Sequence, residues 1–61
     1  MFAIGDRVEV LEGNEFSLQK GDKGVVIETF LLPTGTYAHR VNVKGRPNYS
    51  NIIVEYNIKL I

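Results

Sequence analysis

The sequence predicts an all-β domain, a small barrel of five short strands. Three observations predict it. No stretch repeats apolar residues at intervals of three and four over successive turns, so no amphipathic helix is signalled. β-branched residues alternate instead with polar ones in several short runs, the period of a half-buried strand. Glycine, proline and asparagine separate those runs at short intervals. The chain has 61 residues, which limits it to one domain. Hydrophobic residues at 44% and charged residues at 23% are ordinary globular usage, which excludes a disordered tail. With no cysteine, neither disulfides nor cysteine-bound zinc can staple the fold, and the apolar core must hold it.

Gly5-Asp6 leads into strand one, Arg7 to Leu11, in which Val8 and Val10 face one way and Arg7 and Glu9 the other. Glu12 to Lys20 is a polar loop with Gly13 and Asn14 at a turn and with Phe16 and Leu18 as plugs over an open barrel end. Strand two covers Lys23 to Phe30 and strand three Tyr37 to Lys44, joined through Pro33 and Gly35. Pairing Ile27 with Val41 and Val25 with Val43 gathers four β-branched residues on one face and sets Glu28 opposite Arg40. Gly45-Arg46-Pro47-Asn48 forms a tight turn into strand four, Tyr49 to Glu55. Tyr56-Asn57-Ile58 makes one helical turn before a last strand, Lys59 to Ile61. No linker, repeat or low-complexity segment is expected. The expected core is Val8, Val10, Val25, Ile27, Val41, Val43, Ile53 and Leu60.

Five strands in sequence, with a long first loop and a brief turn before the last strand, suit an SH3-like barrel. Closure lets a short chain share one core and protects its strand edges. A five-stranded OB-type barrel is the rival, but it calls for a longer chain and often a helix.

Seven basic and seven acidic residues cancel, unlike the strong basic excess of a typical nucleic-acid-binding domain. The balance hides a split. Through Phe30, Arg7, Lys20 and Lys23 stand against Asp6, Glu9, Glu12, Glu15, Asp22 and Glu28, a net of −3. From Leu31 onward Arg40, Lys44, Arg46 and Lys59 face only Glu55, a net of +3. Such asymmetry fits a basic patch for an anionic partner, a polar contact between proteins, or charges spread evenly by folding. Internal apolar runs such as Val25–Ile27 are three residues long, against the ~20 a membrane helix needs. The first residues lack a basic segment and a long apolar run, so a cytoplasmic protein is expected.

Catalytic and cofactor chemistry finds little to work with. His39 is the sole histidine and lies in a predicted strand, so it is read as structural or surface-exposed, and no metal site is expected. No serine shares a recognisable motif with it. Gly21 and Gly24 are not followed by the lysine and hydroxyl residue of a phosphate loop. They supply backbone freedom or close approach at the entrance to strand two. Asn48-Tyr49-Ser50 matches a glycosylation acceptor only as a pattern. The one candidate surface is Arg40, Asn42 and Lys44, sharing a strand face by period two, with Arg46 and Tyr49 following. Together they offer cations for phosphate and an aromatic ring for stacking on single-stranded nucleic acid. The same residues offer a protein interface with Tyr49 as anchor and Phe16 nearby, or no more than a solvated face.

Gly5-Asp6-Arg7-Val8-Glu9-Val10, Lys20-Gly21-Asp22-Lys23-Gly24-Val25-Val26 and Val41-Asn42-Val43-Lys44-Gly45-Arg46 together resemble the KOW pattern of certain ribosomal proteins and of the carboxy-terminal domain of the transcription factor NusG. That resemblance implies an SH3-like barrel, while the lack of catalytic, metal and phosphate-loop motifs gives the expectation of no enzyme activity and no cofactor. The resemblance also implies binding to a protein first, or a ribonucleoprotein, of the transcription or translation machinery, with weak single-stranded nucleic-acid binding second. Gly5 to Leu11, Gly24-Val25-Val26 and Asn48-Tyr49-Ser50 are similar to the PsaE family of photosystem I subunits, which implies docking of soluble electron carriers through basic residues. Gly5-Asp6-Arg7-Val8 and Val54-Glu55-Tyr56 are similar to type II dihydrofolate reductase, an oligomeric barrel enzyme. That family carries Val-Gln-Ile-Tyr at its active-site strand, where this chain reads Ile53-Val54-Glu55-Tyr56.

Overall fold

The computed structural model describes residues 1–14, 17–46 and 51–61. Phe16, the turn residues Pro47 and Asn48, and Tyr49 and Ser50 at the start of the expected fourth strand lie outside the described residues. The strands are β1 (Arg7–Val10), β2 (Lys23–Leu31), β3 (Tyr37–Asn42), β4 (Ile52–Val54) and β5 (Ile58–Leu60), with a 3-10 turn, Glu55–Asn57, between β4 and β5. They form one antiparallel sheet in the order β4-β3-β2-β1-β5.

The connection between the edge strands explains why the sheet curls. β4 and β5 lie at opposite edges, which in a flat five-stranded sheet stand about 19 Å apart. Only the three residues of the 3-10 turn separate them, and four peptide steps reach at most about 14 Å even when extended. The sheet must therefore wrap until its edges approach, as the five-stranded SH3-like barrel read from the sequence requires. Among the described residues no helix is long and apolar enough to cross a membrane.

Two Gly-Asp turns frame β1 and β2. Asp6 N–H donates to Ala3 O at 3.0 Å and Asp22 N–H to Gln19 O at 3.0 Å, closing turns whose third residues, Gly5 and Gly21, hold φ of 97° and 91°. A side chain at either would be strained, because a Cβ disfavours positive φ. Each aspartate also caps its own turn, Asp6 Oδ2 accepting from Ala3 N–H at 2.8 Å and Asp22 Oδ2 from Gln19 N–H at 2.9 Å. Gly5 N–H and Asp6 O bond Val26, while Gly21 N–H and Asp22 O bond Val10. The segments Gly5–Val10 and Gly21–Val26 are thus related by a local two-fold through the pair Val8↔Gly24. This two-fold is one of backbone geometry. Only the pattern Gly-Asp-cation, ending in valine three residues later, is shared, and antiparallel pairing is what makes the two copies equivalent.

The β2–β3 hairpin holds the expected register from Glu28↔Arg40 to its loop, but on the other side of Glu28 that register is shifted by a bulge. Val26, not Ile27, opposes Val41, and Val25 opposes Asn42, not Val43. Ile27 is the extra residue, and it shares the outer side with Glu28 because a bulge sets two residues against one. Val26 is therefore buried completely, whereas Val25 and Ile27 are only partly buried. Val8, Val10, Val41, Val43 and Ile53 are in the core as expected, joined by Leu18, Ala38 and Ile58. Leu60 is not: although it lies opposite Val8 and two residues from the buried Ile58, it remains 61% exposed, because parity sets the side of the sheet and not what covers it.

Leu18 reaches the core because Asn14 folds the first loop back. Asn14 Oδ1 accepts from Ser17 N–H at 2.8 Å and Leu18 N–H at 3.0 Å, while its Nδ2 donates to Ile52 O at 3.4 Å. The expected plug is thus pinned to the far edge of the sheet. Gly24 meets the other expectation, close approach. A Cβ there would stand 2.8 Å from both Val41 Cγ1 and Val43 Cγ2, and against Asn42 O.

Candidate functional site

Two polar constellations stand out, one centred on a buried histidine and one spread over the outer face of the sheet. The inner one is built on the row Thr29↔His39↔Ile53 across β2, β3 and β4. His39 is fully buried. Its Nδ1 lies 3.0 Å from Thr29 Oγ1 and its Nε2 3.0 Å from Glu55 Oε1. An ionised Glu55 can only accept, so Nε2 carries a proton toward it. Glu55 Oε1 also accepts from Phe2 N–H at 3.0 Å and stands 3.9 Å from the amine of Met1. The Phe2 ring meets the imidazole edge-on, with centroids 5.6 Å apart.

The Glu55 carboxyl is held below the ordinary glutamate range, first by the His39 hydrogen bond. Burial opposes this shift, and the Phe2 N–H and nearby positive charge reinforce it. The connectivity hydroxyl–imidazole–carboxylate matches a nucleophile–base–orienter chain in outline. Here both ring nitrogens are engaged and the ring is walled off, so the chain joins β2, β3, the 3-10 turn and the N-terminal segment. Of the two readings of His39, structural and surface-exposed, the structural one describes its place. Among the described residues no group of three or more histidine, cysteine, aspartate or glutamate side chains could hold a metal ion.

The structure distributes the five expected partner-binding residues over different surroundings. Arg40 Nε donates to Glu28 Oε1 at 2.6 Å, and its guanidinium lies 6.0 Å from the centre of the Phe30 ring. Arg46 donates to Asp22 Oδ1 at 3.3 Å and Gln19 Oε1 at 3.2 Å, docking on the second Gly-Asp turn. Asn42 and Lys44 are exposed, as period two predicts. Tyr49 lies outside the described residues. Two of the three cations are therefore matched by carboxylates, and Lys44 is left outward.

The outer face of β5, β1 and β2 gathers other cations. One cross-strand row runs Lys59↔Glu9↔Lys23. The next runs Arg7↔Val25↔Asn42, with Ile61 hydrogen-bonded to Arg7 O at 3.0 Å on the other side. Arg7, Lys23, Lys59 and Lys44 are exposed, and among the described residues none of them forms an ion pair. Meanwhile Asp22, Glu28 and Glu55 are engaged in ion pairs, and Asp6 caps its turn. With Asp22, Glu28 and Glu55 engaged elsewhere, this part of the outer face carries three cations, Arg7, Lys23 and Lys59, against one carboxylate, Glu9.

Sequence reasoning missed this face because Arg7 and Lys23 lie in the half with net charge −3, far in sequence from Lys59. The outward parity of Arg7 was legible, and pairing the first strand with the last would have completed the set. In comparisons with protein-family models, curated proteins and solved structures, nothing matches this chain.

Proposed function

We propose that this chain is a non-catalytic interaction module that engages a protein or ribonucleoprotein of the transcription or translation machinery. The observation that carries the binding half of this reading is the exposed, cation-bearing outer face of the sheet, beside a hydroxyl–imidazole–carboxylate chain turned inward to structural work. Exposed cations on a rigid sheet suit recognition, because they can meet an anionic partner without refolding. The gene-expression context rests on the KOW-like segments around Gly5, Gly21 and Val41 and is an analogy from fold.

The test is capture of partners from native lysate with and without nuclease, comparing the parent with a Lys23→Glu/Lys59→Glu variant. A ribosomal or transcription-complex component retained after nuclease supports the reading. Capture of no such component by a folded parent refutes it. The competing enzyme reading is tested separately: turnover of dihydrofolate with reduced nicotinamide cofactor, lost in Tyr56→Phe, would replace the proposal.

A further inference from the structure

We infer that the outer face of β5, β1 and β2 takes an extended acidic segment of a partner protein, whose carboxylates fall to Arg7, Lys23 and Lys59. This deepens the interaction-module reading and rests on it. Charge complementarity selects the sign of the partner, since these cations have no ion pair among the described residues. The arrangement of the two rows selects its class.

In the first row Glu9 stands between Lys23 and Lys59. A phosphate backbone carries charge without a break and would bring a phosphate against this carboxylate, at a cost from like-charge repulsion. A peptide can place carboxylates at the two lysines and an uncharged or donor residue between them. The second row interleaves Arg7 with the apolar Val25 and Ile61 and with Asn42. Neither row contains an aromatic side chain to stack a base, the feature that sequence-tolerant binding of single strands relies on. Apolar positions beside cations match a segment in which acidic and apolar residues alternate at every second position, so that both fall on one face, where side chains repeat every ~7 Å along an extended chain. Lys23 and Lys59 are separated by two strand spacings, about 9.6 Å, within reach of a segment lying obliquely across the strands.

The probes are a labelled peptide repeating Glu-Ser-Val-Ser, which sets glutamate and valine alternately on one face when extended, its Lys-Ser-Val-Ser counterpart, and a ten-nucleotide oligouridylate. The parent should bind the acidic peptide in preference to both others, and binding should weaken at least tenfold between 50 and about 300 mM salt through screening. Lys23→Glu/Lys59→Glu should weaken it at least tenfold. Glu9→Gln should strengthen it about two- to fivefold and let oligouridylate compete, as removal of a repulsive centre requires. Amide chemical-shift mapping on the parent needs no variant to fold, and the largest shifts should fall on Arg7, Glu9, Lys23, Val25 and Lys59. Tighter binding of oligouridylate than of the acidic peptide overturns the inference, as do shifts confined to other residues or no binding at 50 mM salt. If lysate capture of a gene-expression component succeeds while the acidic peptide fails, the surface assignment falls and the module reading survives. If neither succeeds, both fall.

Discussion

Replacing His39 by leucine tests the interior of the barrel most sharply, because it keeps apolar bulk while removing both polar contacts. The bond to Glu55 is charge-assisted, and since that side chain is 27% exposed it contributes near the lower end of the usual range, about 1.5 kcal/mol. The bond to Thr29 adds about 1 kcal/mol. The edge-on contact with Phe2 adds about 0.5 kcal/mol or slightly more. Together the loss is about 3 kcal/mol. A domain of 61 residues has a total stability of roughly 3–9 kcal/mol, so the variant should be near or past the edge of folding. Urea unfolding followed by far-ultraviolet circular dichroism should show the midpoint falling by about 3 M, at a slope of about 1 kcal/mol per molar, or no folded baseline at all. A folded variant whose midpoint falls by less than about 0.5 M would refute the argument, since the three contacts would then contribute almost nothing. The same pair predicts an acid limb. The Glu55 carboxyl is lowered on folding, chiefly by His39, so its contribution is complete above the pH at which the unfolded chain's glutamate titrates. It is lost as pH falls through the lower, folded value. The stability gap between parent and His39→Leu should therefore narrow on acidification below the ordinary glutamate range, and a constant gap there would refute the assignment.

Four further substitutions test how the fold is held together. Gly24→Ala should cost on the order of 2–3 kcal/mol by overpacking, because its Cβ meets the backbone of Asn42 as well as two valine side chains; an unchanged thermal midpoint would contradict that close approach. Val26→Ala should cost about 2 kcal/mol from two lost methyl groups and the cavity they leave, while Leu60→Ala should stay within about 0.5 kcal/mol. The reverse order in urea would contradict the burial of Val26 and the exposure of Leu60. Arg40→Ala should cost less than about 1 kcal/mol, since Glu28 is half-exposed and such pairs contribute little; a greater loss, read from the same midpoint, would mean that the guanidinium over Phe30 seals the hairpin.

The amino-acid sequence by itself determined the class of fold, the number and order of strands, and the pairing of Glu28 with Arg40, because these follow from local alternation and from turn chemistry at Pro33 and Gly35. It also determined that Gly21 and Gly24 answer to geometry, one through positive φ and the other through close approach. Tertiary structure alone decided the rest. A single bulged residue, Ile27, moved Val26 into the core, and no alternation pattern distinguishes a bulged Val-Val-Ile run from a regular one. Leu60 shares parity with the core and with Ile58 of the same strand, yet Ile58 is buried and Leu60 stays exposed, because burial depends on what packs over each position and not on alternation alone. The link from His39 to Glu55 spans 16 residues, and the outer row unites Lys59 with Lys23 across β1. Both depend on which strands become neighbours once the sheet wraps, a choice made by the whole chain's burial and closure and by no single segment.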